Sequence, residues 1–247
     1  MVTQTADRRK EVTASRAVAR ASVYQLLSQA LAYPHDDVVA AMVEIDLPQA
    51  REAASLLPVD LDPELSAFAD QLADASASAL RSLHGHVFTH VVSQDCPPCE
   101  AFYIAKGIFQ ETSELADIAG FFKAFDLALA ETERIDHISV ELEFMHFLTY
   151  KEAYARTHHN AEKSRFCRDV QRKFIRDHLG RWSLHFARLL DQKAGGGYYS
   201  CLASLLEKFV SSELAFLRVE TEVTLASQEW READSDDSGC PIGEACQ

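Results

Sequence analysis

The sequence contains few residues that interrupt regular structure, with 9 Gly and 7 Pro among 247 residues. No apolar run approaches the roughly 18 to 20 residues that a membrane-spanning helix requires. The chain has neither a Gly-x-x-x-x-Gly-Lys-Ser/Thr loop nor a His-Glu-x-x-His pattern, which argues against a P-loop nucleotide site and a zinc-protease site. We also find no internal repeat and no alternation of strands with helices. These absences favour an all-helical globular protein without a recognisable catalytic motif.

Basic residues are scarce relative to acidic ones. The chain has 24 Lys and Arg against 38 Asp and Glu, which gives a formal net charge of -14. This balance argues against binding to nucleic acid, because phosphates require a basic face. It also argues against an anionic membrane surface and favours a partner that carries Arg or Lys.

The N-terminal residues do not resemble an export signal, because Glu11 and Arg16 interrupt the place where an apolar segment should follow. No apolar segment follows the Arg8-Arg9 pair either. We therefore expect a cytoplasmic protein whose 6 Cys are reduced. We divide the chain into a flexible basic N-terminus (1–12), an all-helical domain (13–227) and an acidic, disordered, cysteine-containing tail (228–247).

Apolar residues recur at helical spacing along most of the chain. Asp62-Pro63 is a strong helix start, because an N-cap residue precedes a proline at the first helical position. Gly180 is expected to end one helix, and Ser113 to cap another. The pattern predicts a single-domain bundle of about nine or ten helices. The predicted segments are about 13–32, a short helix capped by Asp36, then 49–57, a helix from Asp62 that ends between His84 and Val92, 100–112, 113–125, a central helix entered from Asp136, 162–179, 182–190 and 199–227.

The central helix follows a loop that carries Glu133, Asp136 and His137 within five residues. The helix has apolar residues on two faces, so we expect it in the middle of the bundle. The three titratable side chains suit an acid/base group. They also suit a capping cluster, in which Asp136 caps the helix and Glu133 pairs with Arg134 or His137. We favour a third interpretation, an anionic anchor that orients a basic peptide beside an apolar groove.

Cys96-Pro97-Pro98-Cys99 has the spacing of half a zinc site or of a redox pair. A structural zinc site needs two more ligands, and the candidates (His84, His86, His90, Cys240 and Cys246) are scattered. A redox pair would require a thioredoxin-like context that the sequence lacks. We therefore predict loop thiols that flank a rigid turn, with no metal and no resident cofactor. A thiol-based metal-binding or redox protein using Cys96 and Cys99 remains the alternative.

In these segments the chain resembles the TorD/DmsD/NarJ family of cytoplasmic chaperones, the redox enzyme maturation proteins. The family marker is a Glu-x-x-Asp-His loop before an apolar helix, present here as Glu133-Arg-Ile-Asp136-His137. A second match runs from Val87-Phe88 through Pro97-Pro98 to Cys99-Glu-Ala-Phe-Tyr103. Further similar features are Tyr24 with Leu27, Leu115-Ala-Asp-Ile-Ala-Gly-Phe-Phe, and Asp177-His-Leu-Gly-Arg-Trp182. The resemblance covers about residues 15–223.

The resemblance implies a non-enzymatic, TorD-like helical chaperone. It would bind the twin-arginine signal peptide of a dimethyl-sulfoxide-reductase-type molybdoenzyme catalytic subunit, and assist molybdopterin insertion before export. Such a peptide offers two arginines and an apolar segment to carboxylates beside an apolar groove. A monomer or a dimer swapped around Gly195–Gly197 is expected. The implied peptide-binding residues are Tyr24, Val87, Phe88, Pro98, Cys99, Tyr103, Glu133, Asp136 and His137.

Overall fold

The computed structural model describes residues 2–73, 75–88, 95–105, 107–128, 134–158 and 161–221, with the backbone alone for residues 2–11. These residues form helices and connecting loops without a strand, so the predicted all-α class is confirmed. No helix among them is both long and apolar enough to span a membrane. The helices are α1 (Val2–Leu31), α2 (Asp36–Ala41), α3 (Leu47–Ala54), α4 (Asp62–Ala73), α5 (Ala77–Phe88), α6 (Ala101–Ile104), α7 (Ile108–Lys123), α8 (Ile138–His158), α9 (Ala161–Asp177), α10 (Leu179–Ala194) and α11 (Tyr198–Leu217).

Helix α8 lies at the centre of the bundle, as its two apolar faces predict. It packs along α1 on one side and along α9 on another. Ile138, Leu142, Met145 and Leu148 on the first face are fully buried, and Phe144 on the second is nearly so. Since a surface helix needs only one apolar stripe, burial of these residues on two faces is what a position inside the bundle requires.

A buried ion-pair network fixes four of the helices relative to each other. The Arg20 guanidinium of α1 donates to Glu213 of α11 at 2.6–2.9 Å and to Glu152 of α8 at 3.3 Å. Gln171 of α9 donates to the same Glu152 carboxylate at 3.0 Å. Since an unpaired buried charge is strongly destabilising, these helices can pack only in the arrangement that pairs Arg20.

Two predicted helices, the one that starts at Asp62 and the one over 100–112, are each divided in the structure. The segment expected as one helix from Asp62 separates into α4 and α5, because the Ser76 hydroxyl accepts a hydrogen bond from the Ala79 N–H at 3.2 Å and caps a new helix. The expected cap Ser113 lies inside α7, which begins earlier, at Ile108. Asp36 is the first residue of α2 rather than its cap, and α2 continues through one π-helical turn (Met42–Asp46) directly into α3.

The first and last helices also differ from their predicted bounds. Helix α1 begins at Val2 rather than near Thr13. Helix α11 ends at Leu217 rather than near Ser227, because Arg218 adopts a left-handed conformation with φ 55°. The Val219 N–H then returns to the Leu214 carbonyl at 2.9 Å, which completes a helix-ending turn. The flexibility of residues 1–12 stays a prediction, and residues 222–247, with Cys240 and Cys246, lie outside the described residues.

Gly180 does not end a helix but lies buried in the first turn of α10. A Cβ atom at this position would stand 2.4 Å from the Ile175 carbonyl oxygen and 2.9 Å from Leu214 Cδ2. Glycine is therefore required for the close approach of α9, α10 and α11. The true helix-breaking glycines are Gly195 to Gly197, which all have positive φ and join α10 to α11.

We predict that Gly180→Ala lowers the free energy of unfolding by about 1–3 kcal/mol, because the added methyl group overpacks this contact. Gly120→Ala is the matched control: Gly120 lies in α7, and no atom lies within 4 Å of the position that an added methyl group would take. The control should raise stability by about 0.5–1 kcal/mol through lower backbone entropy in the unfolded chain. Urea denaturation of both variants measures the difference; equal effects would contradict the tight packing at Gly180.

Candidate functional site

Two of the predicted motifs meet at the start of α8. The Glu100 N–H donates to the Asp136 carbonyl at 2.9 Å, and the Ile138 N–H donates to the Pro98 carbonyl at 2.8 Å. Cys99 and His137 thereby form an isolated antiparallel bridge. We call this pairing of residues 97–100 with residues 136–138 the loop clamp. The Pro-Pro segment and the Asp-His segment are thus one structural unit.

The Asp136 carboxylate stabilises the loop clamp from inside. Its side chain is only 1% exposed and accepts the Ala101 N–H at 3.1 Å, which caps α6 rather than α8. Arg134 donates to both Asp136 oxygens at 2.9 and 3.0 Å, and its outer nitrogen reaches Glu111 of α7 at 3.0 Å. The carboxylate is therefore already neutralised. In this arrangement it holds Arg134 and α6 in place and offers no free charge to solvent.

His137 is the residue that caps α8. Its Nδ1 atom accepts the Ser139 N–H at 3.3 Å and lies 2.7 Å from the Ser139 hydroxyl oxygen. Burial lowers the pKa of His137 to about 4, although the neighbouring Asp136 carboxylate acts in the opposite direction. The imidazole is therefore neutral near pH 7. The loop therefore does supply a cap to α8, as the capping interpretation predicts, but the capping residue is His137 instead of Asp136.

The two cysteines of the Pro-Pro loop are buried and not arranged for thiolate chemistry. Burial raises the pKa of Cys96 to about 12. It raises the pKa of Cys99 further still, with a smaller contribution from the Asp136 carboxylate. A thiolate is the form that binds metal or attacks a substrate. Near pH 7 both side chains are therefore protonated thiols in this arrangement, and the absence of a metal stays a prediction.

A buried polar cluster below the loop clamp was not predicted from the sequence. A hydrogen bond of 3.0 Å joins the Glu100 carboxyl group to His178 Nδ1. Trp182 Nε1 donates a hydrogen bond to Glu141 at 3.3 Å. Burial, and then the charge of Glu100, raises the pKa of Glu141 well above its ordinary value. Burial would lower the pKa of His178, but the hydrogen bond with Glu100 and the nearby carboxylate charges together outweigh burial and raise that pKa. Glu141 and Glu143 stand in an apolar stretch with no spacing signal that would reveal such a partner.

Part of this cluster has the composition of a metal site. Within the described part of the chain, one group of at least three potential ligands occurs, formed by Glu100, Glu114 and His178. The Arg181 guanidinium lies 3.4 Å from Glu114 and 3.9 Å from Glu100. This guanidinium already supplies the positive charge that the carboxylates require.

Of the other predicted site residues, Tyr103 contacts the loop clamp. Its hydroxyl donates to the Pro97 carbonyl at 2.8 Å, and its ring stacks on Trp182 with centroids 5.2 Å apart. Pro98 is half-buried on the same loop. Tyr103 therefore connects the rigid Pro-Pro turn to the core beneath it.

Three predicted residues lie in the core instead of on the loop clamp. Tyr24 is fully buried and packs edge-on against Phe209 at 4.8 Å. Val87 and Phe88 end α5 and are also buried, with Phe88 against Tyr199. Glu133 lies outside the described residues. The structure thus brings Pro98, Cys99, Tyr103, Asp136 and His137 together, and separates Tyr24, Val87 and Phe88 from solvent.

The first ten residues of α7 present an uncovered apolar and acidic surface next to the loop clamp. Phe109 is 95% exposed and Ile108 is 74% exposed, far more than a large apolar side chain usually is in a helix. Glu111 joins this segment to Arg134, the partner of Asp136, and the Asp117 side chain is mostly exposed with one oxygen 3.2 Å from His178 Nε2. We call Ile108, Phe109, Glu111 and Asp117 the α7 surface. Sequence reasoning missed it, because exposure of these residues depends on how α7 sits on the bundle.

We predict that Asp136→Ala lowers the free energy of unfolding by about 2–4 kcal/mol, because it removes the buried acceptor of the Ala101 N–H bond and the main partner of Arg134. Asp70→Ala, at an exposed position of α4, is the control and should change stability by less than about 0.5 kcal/mol. Urea denaturation distinguishes the two. A small effect at Asp136 would mean that this carboxylate is dispensable for the loop clamp.

The His137 pKa predicts how stability depends on pH. The ordinary pKa of histidine is about 6.5, whereas the pKa of folded His137 is about 4. Between these two pH values His137 is protonated in the unfolded chain and neutral in the folded protein. Stability should therefore fall as pH falls through this window, and His137→Gln should reduce that slope. NMR titration of the His137 ring measures the pKa directly, and titration near pH 6.5 would contradict the buried, neutral imidazole.

Comparisons with known proteins agree with this architecture. The family model described as nitrate reductase delta subunit matches residues 57–188, just over half of the chain. The chain is 26% identical over 212 residues to the perchlorate reductase assembly chaperone protein of Dechloromonas aromatica (strain RCB), covering 81% of this chain and 90% of that one.

A solved structure shows the same fold. The redox enzyme maturation protein of Archaeoglobus fulgidus superimposes with a TM-score of 0.52 at 20% identity, covering 77% of this chain and 93% of that chain. The resemblance noted from the sequence is thus confirmed. The chain belongs to the nitrate reductase delta subunit family, the NarJ/TorD type of redox enzyme maturation protein.

Proposed function

We propose that this protein is a non-enzymatic assembly chaperone for a molybdoenzyme catalytic subunit of the dimethyl-sulfoxide-reductase type. It binds the twin-arginine leader of the client in the cytoplasm and holds the apoprotein until molybdopterin is inserted, before export. Family membership supports the chaperone role, and so does the relative whose name describes an assembly chaperone of perchlorate reductase.

The observation that carries the proposal is the α7 surface. Uncovered apolar side chains of this size on a monomer are typical of a protein-binding site. Here Ile108 and Phe109 lie on the same helix as the carboxylates of Glu111 and Asp117. A leader that carries two arginines followed by an apolar segment matches both halves of this surface.

The loop clamp has a positioning role in this proposal. Asp136 fixes Arg134, and Arg134 in turn holds the Glu111 carboxylate at 3.0 Å, so the acidic part of the surface is set before the leader arrives. Binding to a surface that is already ordered avoids part of the entropy cost of association. Pro98, Cys99, Tyr103 and His137 frame the same edge of the bundle, and Glu133 adds a carboxylate to the sequence immediately before Arg134.

The three buried residues act differently. Tyr24, Val87 and Phe88 contribute through the core that supports the loop clamp, because none of them is accessible to a peptide in this arrangement. Their replacement is expected to change stability first and affinity only as a consequence.

Fluorescence anisotropy with a labelled peptide tests the proposal directly. The peptide carries two consecutive arginines followed by an apolar segment of about 12 residues. Phe109→Ala should weaken binding about tenfold or more, because it removes the largest exposed apolar anchor. Asp117→Asn should weaken binding too, and binding of the unchanged protein should weaken as salt is added.

Phe166→Ala is the matched control, since Phe166 is another exposed aromatic residue, 59% exposed, but lies on α9. It should leave the affinity for the leader peptide unchanged. If Phe166→Ala weakens binding while Phe109→Ala does not, the leader binds elsewhere. An affinity independent of salt would contradict the charge-assisted contact.

A further inference from the structure

A second uncovered apolar region lies between α8 and α9. It is a groove of about 720 Å³. Aromatic side chains form most of its wall, namely Phe125, Phe147, Tyr150, Tyr154 and Phe166. Tyr150, Tyr154 and Phe166 are each about half exposed, so this wall is uncovered in the described residues. A groove of this size and composition is suited to a large aromatic side chain.

The groove is basic at its edge. Its two charged lining residues are Lys151 and Lys163, and no carboxylate lines it among the described residues. The Lys151 ammonium lies 4.8 Å from the centre of the Phe147 ring, so its charge is held over the apolar wall. An occupant of this groove should therefore combine an aromatic side chain with negative charge.

The outer side of α9 extends this basic character. The helix carries six Lys and Arg in 17 residues, in a chain whose net charge is -14. Arg172 and Arg176 pair with Asp169 and Asp177 at 2.7 Å. Arg165 and Lys173 are exposed on the same helix and add to the charge of Lys163. This part of the surface is opposite in sign to the protein as a whole.

The C-terminal sequence has the complementary composition. Residues 222–247 contain seven carboxylates and one arginine. They also contain Trp230, which has Glu229 before it and Glu232 two residues later. The other of the 2 Trp residues, Trp182, is fully buried in the core.

The point at which the described chain ends brings this segment within reach. Thr221 lies beside Gly180, just beyond the C-terminal end of α9. From there, about 12 residues of α9 at 1.5 Å each, or about 18 Å, separate its end from the groove. Nine extended residues to Trp230 span up to about 30 Å. Trp230 can therefore reach the groove with length to spare.

We propose that the acidic C-terminal segment of this chain lies across the basic side of α9 and places Trp230 in the aromatic groove. The carboxylates around Trp230 then face Lys151 and Lys163. A twin-arginine leader is disfavoured here, because its arginines would meet these two lysines. The proposal is independent of leader binding, which involves the opposite charge on α7.

Acrylamide quenching of Trp230 fluorescence in the full chain tests this arrangement. The signal of Trp230 is obtained by subtracting the spectrum of Trp230→Phe, in which only the buried Trp182 emits. We expect quenching several-fold weaker than in a synthetic peptide of residues 222–247. Charge reversal by Lys151→Glu with Lys163→Glu should raise quenching to the value of the peptide.

The matched control reverses two exposed charges away from the groove, Arg188→Glu on α10 with Arg51→Glu on α3, and should leave quenching unchanged. Circular dichroism of each variant shows that the fold is retained. Quenching equal to that of the peptide in the unchanged protein would overturn the proposal. So would protection that depends on protein concentration, since the groove would then be covered by a second copy.

Discussion

The Asp136 carboxylate joins parts of the chain that are far apart in sequence. It caps α6 and accepts hydrogen bonds from two Arg134 nitrogens. It also lies next to the backbone bridge between Cys99 and His137. Through Arg134 the same contact reaches Glu111 on α7. Because this buried carboxylate accepts several hydrogen bonds, its removal is expected to lower the free energy of unfolding strongly. The order of the Pro-Pro loop, of α6 and of the start of α7 therefore depends on one side chain.

This role changes how the Glu-x-x-Asp-His motif is understood. A free carboxylate near an apolar groove would suit direct recognition of arginine, and this was the hypothesis from the sequence. In the structure the Asp136 charge is paired with Arg134 and His137 is neutral near pH 7, so in the proposed function we give this motif a positioning role. On α7, next to the exposed Phe109, the Glu111 carboxylate pairs with Arg134, and the Asp117 side chain is mostly exposed with one oxygen 3.2 Å from His178 Nε2.

The molecule also divides its charge between two regions. The α7 surface combines apolar and acidic residues, whereas the groove beside α9 combines apolar and basic ones. Because the two apolar regions carry opposite charge, each favours a different occupant, and the two occupants need not compete for one site. We assign the client leader to the first region and the acidic C-terminal segment of the chain to the second.

Helical periodicity was sufficient to predict the all-α class and the central position of α8, because both follow from the local pattern of apolar residues. It did not reveal the division between α4 and α5, where the Ser76 cap outweighs a continuous apolar stripe. It also misplaced Gly180, whose requirement comes from contact with Leu214 of a distant helix. The site shows the same limit. The motif residues were found from their spacing, but their roles depend on partners such as Arg134 and Ala101 that only the folded chain brings together.

Amide hydrogen exchange of the full-length protein, with and without a twin-arginine leader peptide, tests most directly whether the leader binds at α7. Because exchange reports the opening of each backbone segment, it locates the peptide without replacing any residue. We expect added protection in residues 97–117, which include the Pro-Pro loop and the first half of α7. Protection confined to residues 147–167, around the aromatic groove, would contradict binding at α7.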